Sequence, residues 1–483
     1  MSLVNAAVRS LLQMDKHYDA IVLGTGLKEC ILSGLLSVHG FKVLHMDRNT
    51  YYGGESASLN VSQLFEKFEN GSASPAELGP NRDWNVDLVP KFILAAGKLV
   101  KTLVHTDVKR YLDFKSCNGS FVVKDKENIH RVPATLKSAL STKLMGLLEK
   151  NRMRKLLELV AGLHSETSKY KGKYDLETMT MAELFAVFKL KPNTQYVVGH
   201  AMALHLDDSY LERPAIETCE RIYTYCLSLA RFGQAPYIYP LYGLGELPQA
   251  FARLSAVWGG VYMLDKSIDE LLFNEDGAVK GIRSGEESVY CNWLIGDPSY
   301  FPQYVSKTGS VARGICILKD PIPQCVAASD PLKKDRVPSC HQVILPGYEA
   351  DRENDVYITT QGCIVKTSPK TAYLGFVSGL AEGQENEDDA ALDQQALERE
   401  LRGGLNLLAP CGIRHQWLYR TDVLTPNRAE CEPKNIFISE SYDATSHFET
   451  TIDDVLGLFE RITGQQVNLD DPPKKPVMLG EGQ

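Results

Sequence analysis

The run "YDAIVLGTGLKECILSG", residues 18–34, constrains this chain more than any other stretch. Tyr18 to Leu23 is almost wholly apolar, glycines follow at 24 and 26, and helical spacing begins at Leu27. A buried strand that turns abruptly into a helix needs glycine at the turn, because a side chain would obstruct the tight backbone path. Gly40 closes the helix, and "FKVLHMD" (41–47) supplies a second apolar strand. This is one β-α-β unit of about 30 residues with its glycines at the first turn. Asp47 stands 23 residues after Gly24, where a dinucleotide-binding unit places the acid that holds a ribose hydroxyl. The expected fold class is therefore α/β, with a Rossmann-like large domain.

A dinucleotide fingerprint carries a third glycine three places after the second. Here that position is Glu29. Its side chain adds bulk where helix and strand approach closely. It also brings a negative charge into the first helical turn, where the helix dipole favours anions by ~0.3–1 kcal/mol. The carboxylate is expected to stand where phosphate would sit and to repel a pyrophosphate. Gly24, Gly26 and Glu29 thus read as a vestigial site or as a plain strand-helix turn, and no cofactor is expected.

"RNTYYGGES" (48–56) follows as a turn with paired glycines, a segment many flavoproteins place after the second strand. Pro90 is expected to open a helix over 91–104, with Phe92, Ala96, Leu99 and Leu103 on its buried face. Asn118-Gly119 in "CNGSFVV" (117–123) signals a hairpin. From 134 to 232 the pattern is helical only. It comprises an apolar stripe over 138–163, a capping box from Thr180 to Glu183, a short helix over 196–206 and a helix opened by Pro214. The α/β texture then returns, with a helix in 242–260 and a hairpin around 275–277. The organisation read from this is an extension at 1–13, expected to be disordered, and an α/β domain from 14–133 and 233–465. A helical domain is inserted at 134–232, and 466–483 form a flexible tail. The segment 380–395 is acidic and reads as an exposed loop leading into a helix.

The remaining composition mainly excludes. Net charge is −9 and the pI near 5.7, which argues against nucleic acid as a partner and against simple adhesion to anionic lipid. The 11 cysteines are scattered without a CxxC pair, so no metal site is expected and a reducing, cytoplasmic setting fits. No apolar run reaches the ~18 residues that span a bilayer. There is no P-loop, no HExxH and no G-x-S-x-G, and no catalytic residue is assigned.

Six blocks together carry a specific resemblance: "YDAIVLGTGLKECILSG", "VLHMDRNTYYGGES", "RDWNVDLVPKF", "RYLDFK", "YPLYGLGELPQAFARLSA" and "SYDATSHFETT". They resemble the Rab GDP dissociation inhibitors, over about 14–465. The resemblance implies a flavoprotein-like, FAD/NAD(P)-binding type of Rossmann fold with several sheets, an inserted all-α domain and no bound flavin. It implies a monomeric, non-enzymatic protein that binds GDP-loaded, geranylgeranylated Rab GTPases and slows GDP release. It also implies that the protein extracts them from membranes, with transient membrane contact. By the same resemblance Tyr52, Glu246, Arg253 and Met263 form the Rab-binding platform, with Val261 where some relatives have a polar residue. Arg231 matches a membrane-docking loop, and 101–114 the segment that holds the Rab tail. Read from the residues alone, Glu246 could instead cap its helix with Arg253 paired to it, and Arg231 could be a helix C-terminal cation.

A lipid of roughly 20 carbons costs on the order of 10 kcal/mol to expose, at ~0.8 kcal/mol per CH₂. A carrier must therefore offer an apolar site of similar quality. Leu144, Leu148, Leu157, Cys219, Ile222 and Cys226 fall at suitable helical spacings for it, or else form the core of the helical domain. Two alternatives remain at this level: a Rab escort protein, and an FAD-dependent oxidoreductase. Glu29 argues against the second, as does a C-terminal "IFISESYDATSHFETT" without the Gly-Asp or Gly-Glu expected near a ribityl phosphate.

Overall fold

The computed structural model describes residues 16–132, 144–232, 235–329, 340–383 and 390–471. The extension at 1–13, the seams at 133/134 and 233, residues 384–389 of the acidic segment and the tail from 472 lie outside the described residues.

The apolar run at the start forms β1 (His17–Leu23), the glycine turn leads into α1 (Leu27–Val38), and β2 (Val43–Met46) returns beside β1. Both strands are buried on both faces, which is why they read as continuous apolar runs rather than alternating ones. All twelve residues of α1 are buried, because helix packs on it from the outside as well. Gly34 lets α6 (Glu246–Val257) come close; a Cβ there would meet the Phe251 ring at 2.8 Å. Polar residues on the packed side pair with each other, as Ser37 Oγ does with Ser255 Oγ at 2.7 Å.

The remaining strands of the three larger sheets are β3 (Ile93–Leu94), β4 (Phe114–Ser116), β5 (Gly119–Lys124), β6 (Asn128–Arg131), β7 (Tyr237–Pro240), β8 (Val261–Met263), β9 (Glu270–Phe273), β10 (Val279–Ser284), β11 (Glu287–Gly296), β12 (Val305–Leu318), β13 (Cys340–Leu345), β14 (Val356–Gln361), β15 (Tyr373–Leu380), β16 (Ile413–Pro426) and β17 (Ile436–Ile438). A first sheet runs β8-β2-β1-β11-β10-β9, with β17 also on β11; its β8, β2, β1, β11 and β17 are parallel. A second sheet runs β16-β12-β15-β14-β13-β5-β6, antiparallel except where β13 meets β5. A small sheet, β3-β7-β4, joins the two regions. Helices α2 (Lys98–His105), α3 (Leu147–Ala161), α4 (Met181–Phe188), α5 (Ala215–Phe232), α7 (Ala390–Leu408) and α8 (Glu449–Thr463) complete the main elements. The apolar residues of α3, α4 and α5 belong to the same continuous core as those of α1 and α6.

Four local expectations need correction. The helix expected over 91–104 starts only at Lys98; Ile93 and Leu94 pair instead with Ile238 and Tyr237 as a strand. Asn118-Gly119 makes no hairpin. The chain crosses there from the small sheet into the second sheet, and the β5–β6 hairpin turns at Asp125 and Lys126, both at positive φ. Helix α3 begins at Leu147, capped by Gly146, so Leu144 and Leu148 do not share a helical face; residues 138–143 of that expected helix lie outside the described residues. Within the expected tail, Val467 packs on the core and Asp470 accepts from Lys101 at 3.0 Å.

Candidate functional site

The glycine turn is closed by its own neighbours. Gly24, at φ +90°, permits the turn, and the Asp297 carboxylate lies directly over it. The Glu29 carboxyl lies over Gly26 in the same way and accepts from Ser439 Oγ at 2.6 Å. Asp47, at the position of a ribose-holding acid, is fully engaged. Its Oδ2 accepts from Thr25 N and Thr25 Oγ1, both at 2.6 Å, and its Oδ1 from Asn49 N at 2.8 Å. Gly53, at φ +110°, folds the paired-glycine turn against Gly26, and its amide donates to Thr25 O at 2.9 Å. These residues do not fit a pyrophosphate, since two carboxyl groups already stand over the glycines.

Burial adds a second reason to the charge repulsion expected from sequence. Glu29 is 4% exposed, and burial together with nearby Asp297 pushes its pKa up to about 8. The upward shift favours the neutral form, so volume and the hydrogen bond from Ser439 fill the turn alongside charge. Asp297 is also raised, by burial first.

A stack unseen in the sequence links this turn to the surface. His45 Nε2 donates to Gly24 O at 2.6 Å, and burial lowers the His45 pKa to about 4, so the ring is neutral. Tyr262 of β8 stacks on it at 4.4 Å, and Tyr52 leans on Tyr262 at 6.2 Å. The Tyr262 hydroxyl donates to Ser33 Oγ at 3.0 Å. No local signal in the sequence joins His45 to Tyr262; only parallel pairing of β8 with β2 does so.

Outside this stack, α6 presents Glu246 and Arg253 on one face, two turns apart. Glu246 is half-buried, which raises its carboxyl, and it caps no amide. Arg253 is exposed, with its guanidinium 4.5 Å over the Tyr111 ring. No hydrogen bond or ion pair joins the two among the described residues, so neither the capping nor the ion-pair alternative is realised. Tyr52, Glu246 and Arg253 lie on the α1–α6 side of the first sheet. Met263 and Val261 do not join them: strand alternation sends both to the opposite face, half-buried beside the cluster of Leu44 and Met46.

Arg231, in the last turn of α5, donates to Ala95 O at 2.6 Å, which fastens the helix end to the small-sheet segment. Next to it Phe232 is exposed. Of the expected lipid-site residues, Leu157, Cys219 and Ile222 are buried together in the main core with Cys226 packed against it, and Leu144 is also buried. Leu148 leaves the group. The buried stripe of α3 runs through Glu149, Met153, Leu156 and Val160, which turns Leu148 outward at 78% exposure. A further feature missed from sequence is His200. Its Nδ1 meets Asp355 and its Nε2 meets Asp208, both at 3.0 Å, joining the helical segment to the second sheet. Burial lowers and the two carboxylates raise its pKa, with a net upward shift.

The family model described as "GDI: GDP dissociation inhibitor" matches residues 14–474. "Guanosine nucleotide diphosphate dissociation inhibitor 2" of Arabidopsis thaliana is 47% identical over 458 residues, covering 94% of this chain and 97% of its own length. "Rab GDP dissociation inhibitor beta" of Canis lupus familiaris is 44% identical over 463 residues, covering 96% and 98%. Among solved structures, a Rab GDI from Plasmodium falciparum matches with a TM-score of 0.83 at 39% identity, over 94% of this chain and 99% of that one. An oxidoreductase from Methanosarcina mazei matches with a TM-score of 0.54 at 13% identity, over 92% and 100%, and shares the fold alone.

Proposed function

Since the chain belongs to the GDP dissociation inhibitor family, we propose that it binds GDP-loaded, geranylgeranylated Rab GTPases and slows the release of their GDP. It extracts them from membranes and keeps them soluble for recycling in vesicle traffic. The observation that carries this reading beyond family membership is the outer face of α6. Among the described residues Glu246 and Arg253 have no hydrogen-bond or ion-pair partner, and Arg253 lies over the Tyr111 ring. Arginine and tyrosine are common interface anchors, and Glu246 is placed to accept from backbone amides of a partner loop. Val261 and Met263 lie on the other face of β8 and contribute from the terminal strand of the sheet rather than from the α6 face.

The prenyl group is received by the helical segment, at Leu144, Leu157, Cys219, Ile222 and Cys226. These residues are packed in the free protein, so α3 and α5 must part to admit it. Membrane contact is transient and uses the Arg231 region; no helix of the described residues is long and apolar enough to cross a membrane. The protein acts as a cytoplasmic monomer and carries out no catalytic step.

The test is extraction. GDP-loaded, geranylgeranylated Rab on liposomes is mixed with the protein and soluble Rab is measured after sedimentation, with GTP-loaded Rab as control. Selective release of the GDP form is the expected result. Release of neither form by folded protein overturns the reading, and tight binding of unprenylated Rab with its geranylgeranyl transferase would assign an escort role instead.

A further inference from the structure

All eleven cysteines are thiols, and two of them touch: Cys340 Sγ lies 2.8 Å from Cys117 Sγ. Both are 1% exposed. A disulfide bond is about 2.05 Å long, so under ~1 Å of movement separates this contact from a covalent bond. The backbone already holds the two residues in register. Asn118 N donates to Cys340 O at 2.9 Å, and Gly119 pairs with His341 where β5 and β13 run parallel. We propose that Cys117 and Cys340 are a redox modification site that closes to a reversible intramolecular disulfide.

The oxidant is a hydroperoxide. One thiol is oxidised by hydrogen peroxide to a sulfenic acid, releasing water. The second thiol then displaces the sulfenic oxygen as a second water and forms the S–S bond. Two thiols lose two hydrogens and two electrons, and the peroxide becomes two waters. A dithiol reverses the reaction by exchange. Burial raises the Cys117 thiol well above its ordinary value, which makes the first step slow. Contact with the partner makes the second step fast, so neither sulfenic acid accumulates.

The position gives the bond a consequence. The chain leaves for the helical segment at the end of β6 and returns from α5 into β7. Hairpin β5–β6 hangs on β13 by the parallel pairing, and Cys117 N donates to Tyr237 O of β7 at 2.9 Å. A bridge from Cys117 to Cys340 therefore fastens both crossings to β13 and stiffens the base of the helical segment. That consequence rests on the proposed lipid role of the segment; the disulfide itself does not.

The test uses the full chain, reduced, exposed to hydrogen peroxide under native conditions, then denatured in N-ethylmaleimide and digested with trypsin. The expected product is a peptide joining 116–124 to 337–352, lost on reduction and absent from Cys117→Ser and Cys340→Ser. Oxidised wild type should melt several degrees higher than reduced, by about 5 °C or more, and Cys117→Ser should not shift. Absence of the linked peptide while half-exposed Cys226 and Cys363 are oxidised overturns the proposal, as does a link that forms only in urea. Extraction of prenylated Rab should slow several-fold on oxidation. Unchanged extraction with the link present removes the stiffening and leaves the disulfide, whereas no extraction by reduced protein removes the Rab reading alone.

Discussion

The glycine turn and the outer face of α6 hold similar chemical groups within one half of the molecule and treat them in opposite ways. At the turn, Asp47, Glu29 and Thr25 are buried and spend their hydrogen bonds on each other, on Ser439 and on the backbone. On α6, Glu246 and Arg253 have no such partners among the described residues, and Arg253 lies over the ring of Tyr111. A buried polar group must be satisfied within the chain, at a cost of about 1–3 kcal/mol if it is not. An exposed one that stays unpaired keeps its bonds for a partner. The same fold thus carries a site whose chemistry has been used up and a surface whose chemistry is still available.

The sharpest way to break this comparison is to empty the turn. Asp47→Ala leaves Thr25 N and Asn49 N without their acceptor, which should cost about 3 kcal/mol. In a chain of this size that lowers the melting temperature by roughly 3 °C. Rab affinity of the folded protein should hardly move. A variant with wild-type stability would show that the turn is not held by Asp47.

The opposite signature is expected on α6. Arg253→Ala should weaken Rab binding by about 2 kcal/mol, roughly 30-fold, with the melting temperature unchanged. Tyr52→Ala should cost about 1 kcal/mol, near 5-fold, since Tyr52 supplies contact area and leans on Tyr262 rather than carrying charge. Titration of GDP-loaded Rab against each variant measures both. Affinity lost only in parallel with stability would assign these residues to the fold instead.

What could be read from sequence divides along the same line. The β-α-β unit was legible because its signals are local: an apolar run, Gly24 and Gly26, an apolar helix and Gly40. Residues 91–97 were misread because Phe92, Ala96, Leu99 and Leu103 do match helical spacing, while pairing of Ile93 and Leu94 with β7 decides the outcome from far along the chain. Leu148 was misassigned because the buried side of α3 runs through Glu149, Met153, Leu156 and Val160, which only the packing against the other helices decides. Tyr52, Glu246 and Arg253 were reachable by resemblance. The partners that define them, Tyr262 and Tyr111, were not, because contact between distant segments leaves no periodicity.

Glu29 shows how far a distant contact can change a residue's meaning, and it offers the finest test. Its ordinary pKa is 4.5, and burial lifts it to about 8 in the folded chain. Between those two values the unfolded chain gives up the proton and the folded chain keeps it. Folding stability therefore falls as pH rises from 4.5 to about 8, and levels off above that. Glu29→Gln keeps an oxygen to accept from Ser439 and has no proton to lose. The variant and wild type should melt together near pH 4.5. At pH 8 the variant should melt at least about 1 °C higher. Equal melting at both pH values, or a variant less stable at pH 8, would mean that Glu29 is charged in the fold. The repulsion read from sequence would then be the right account of why this turn holds no phosphate.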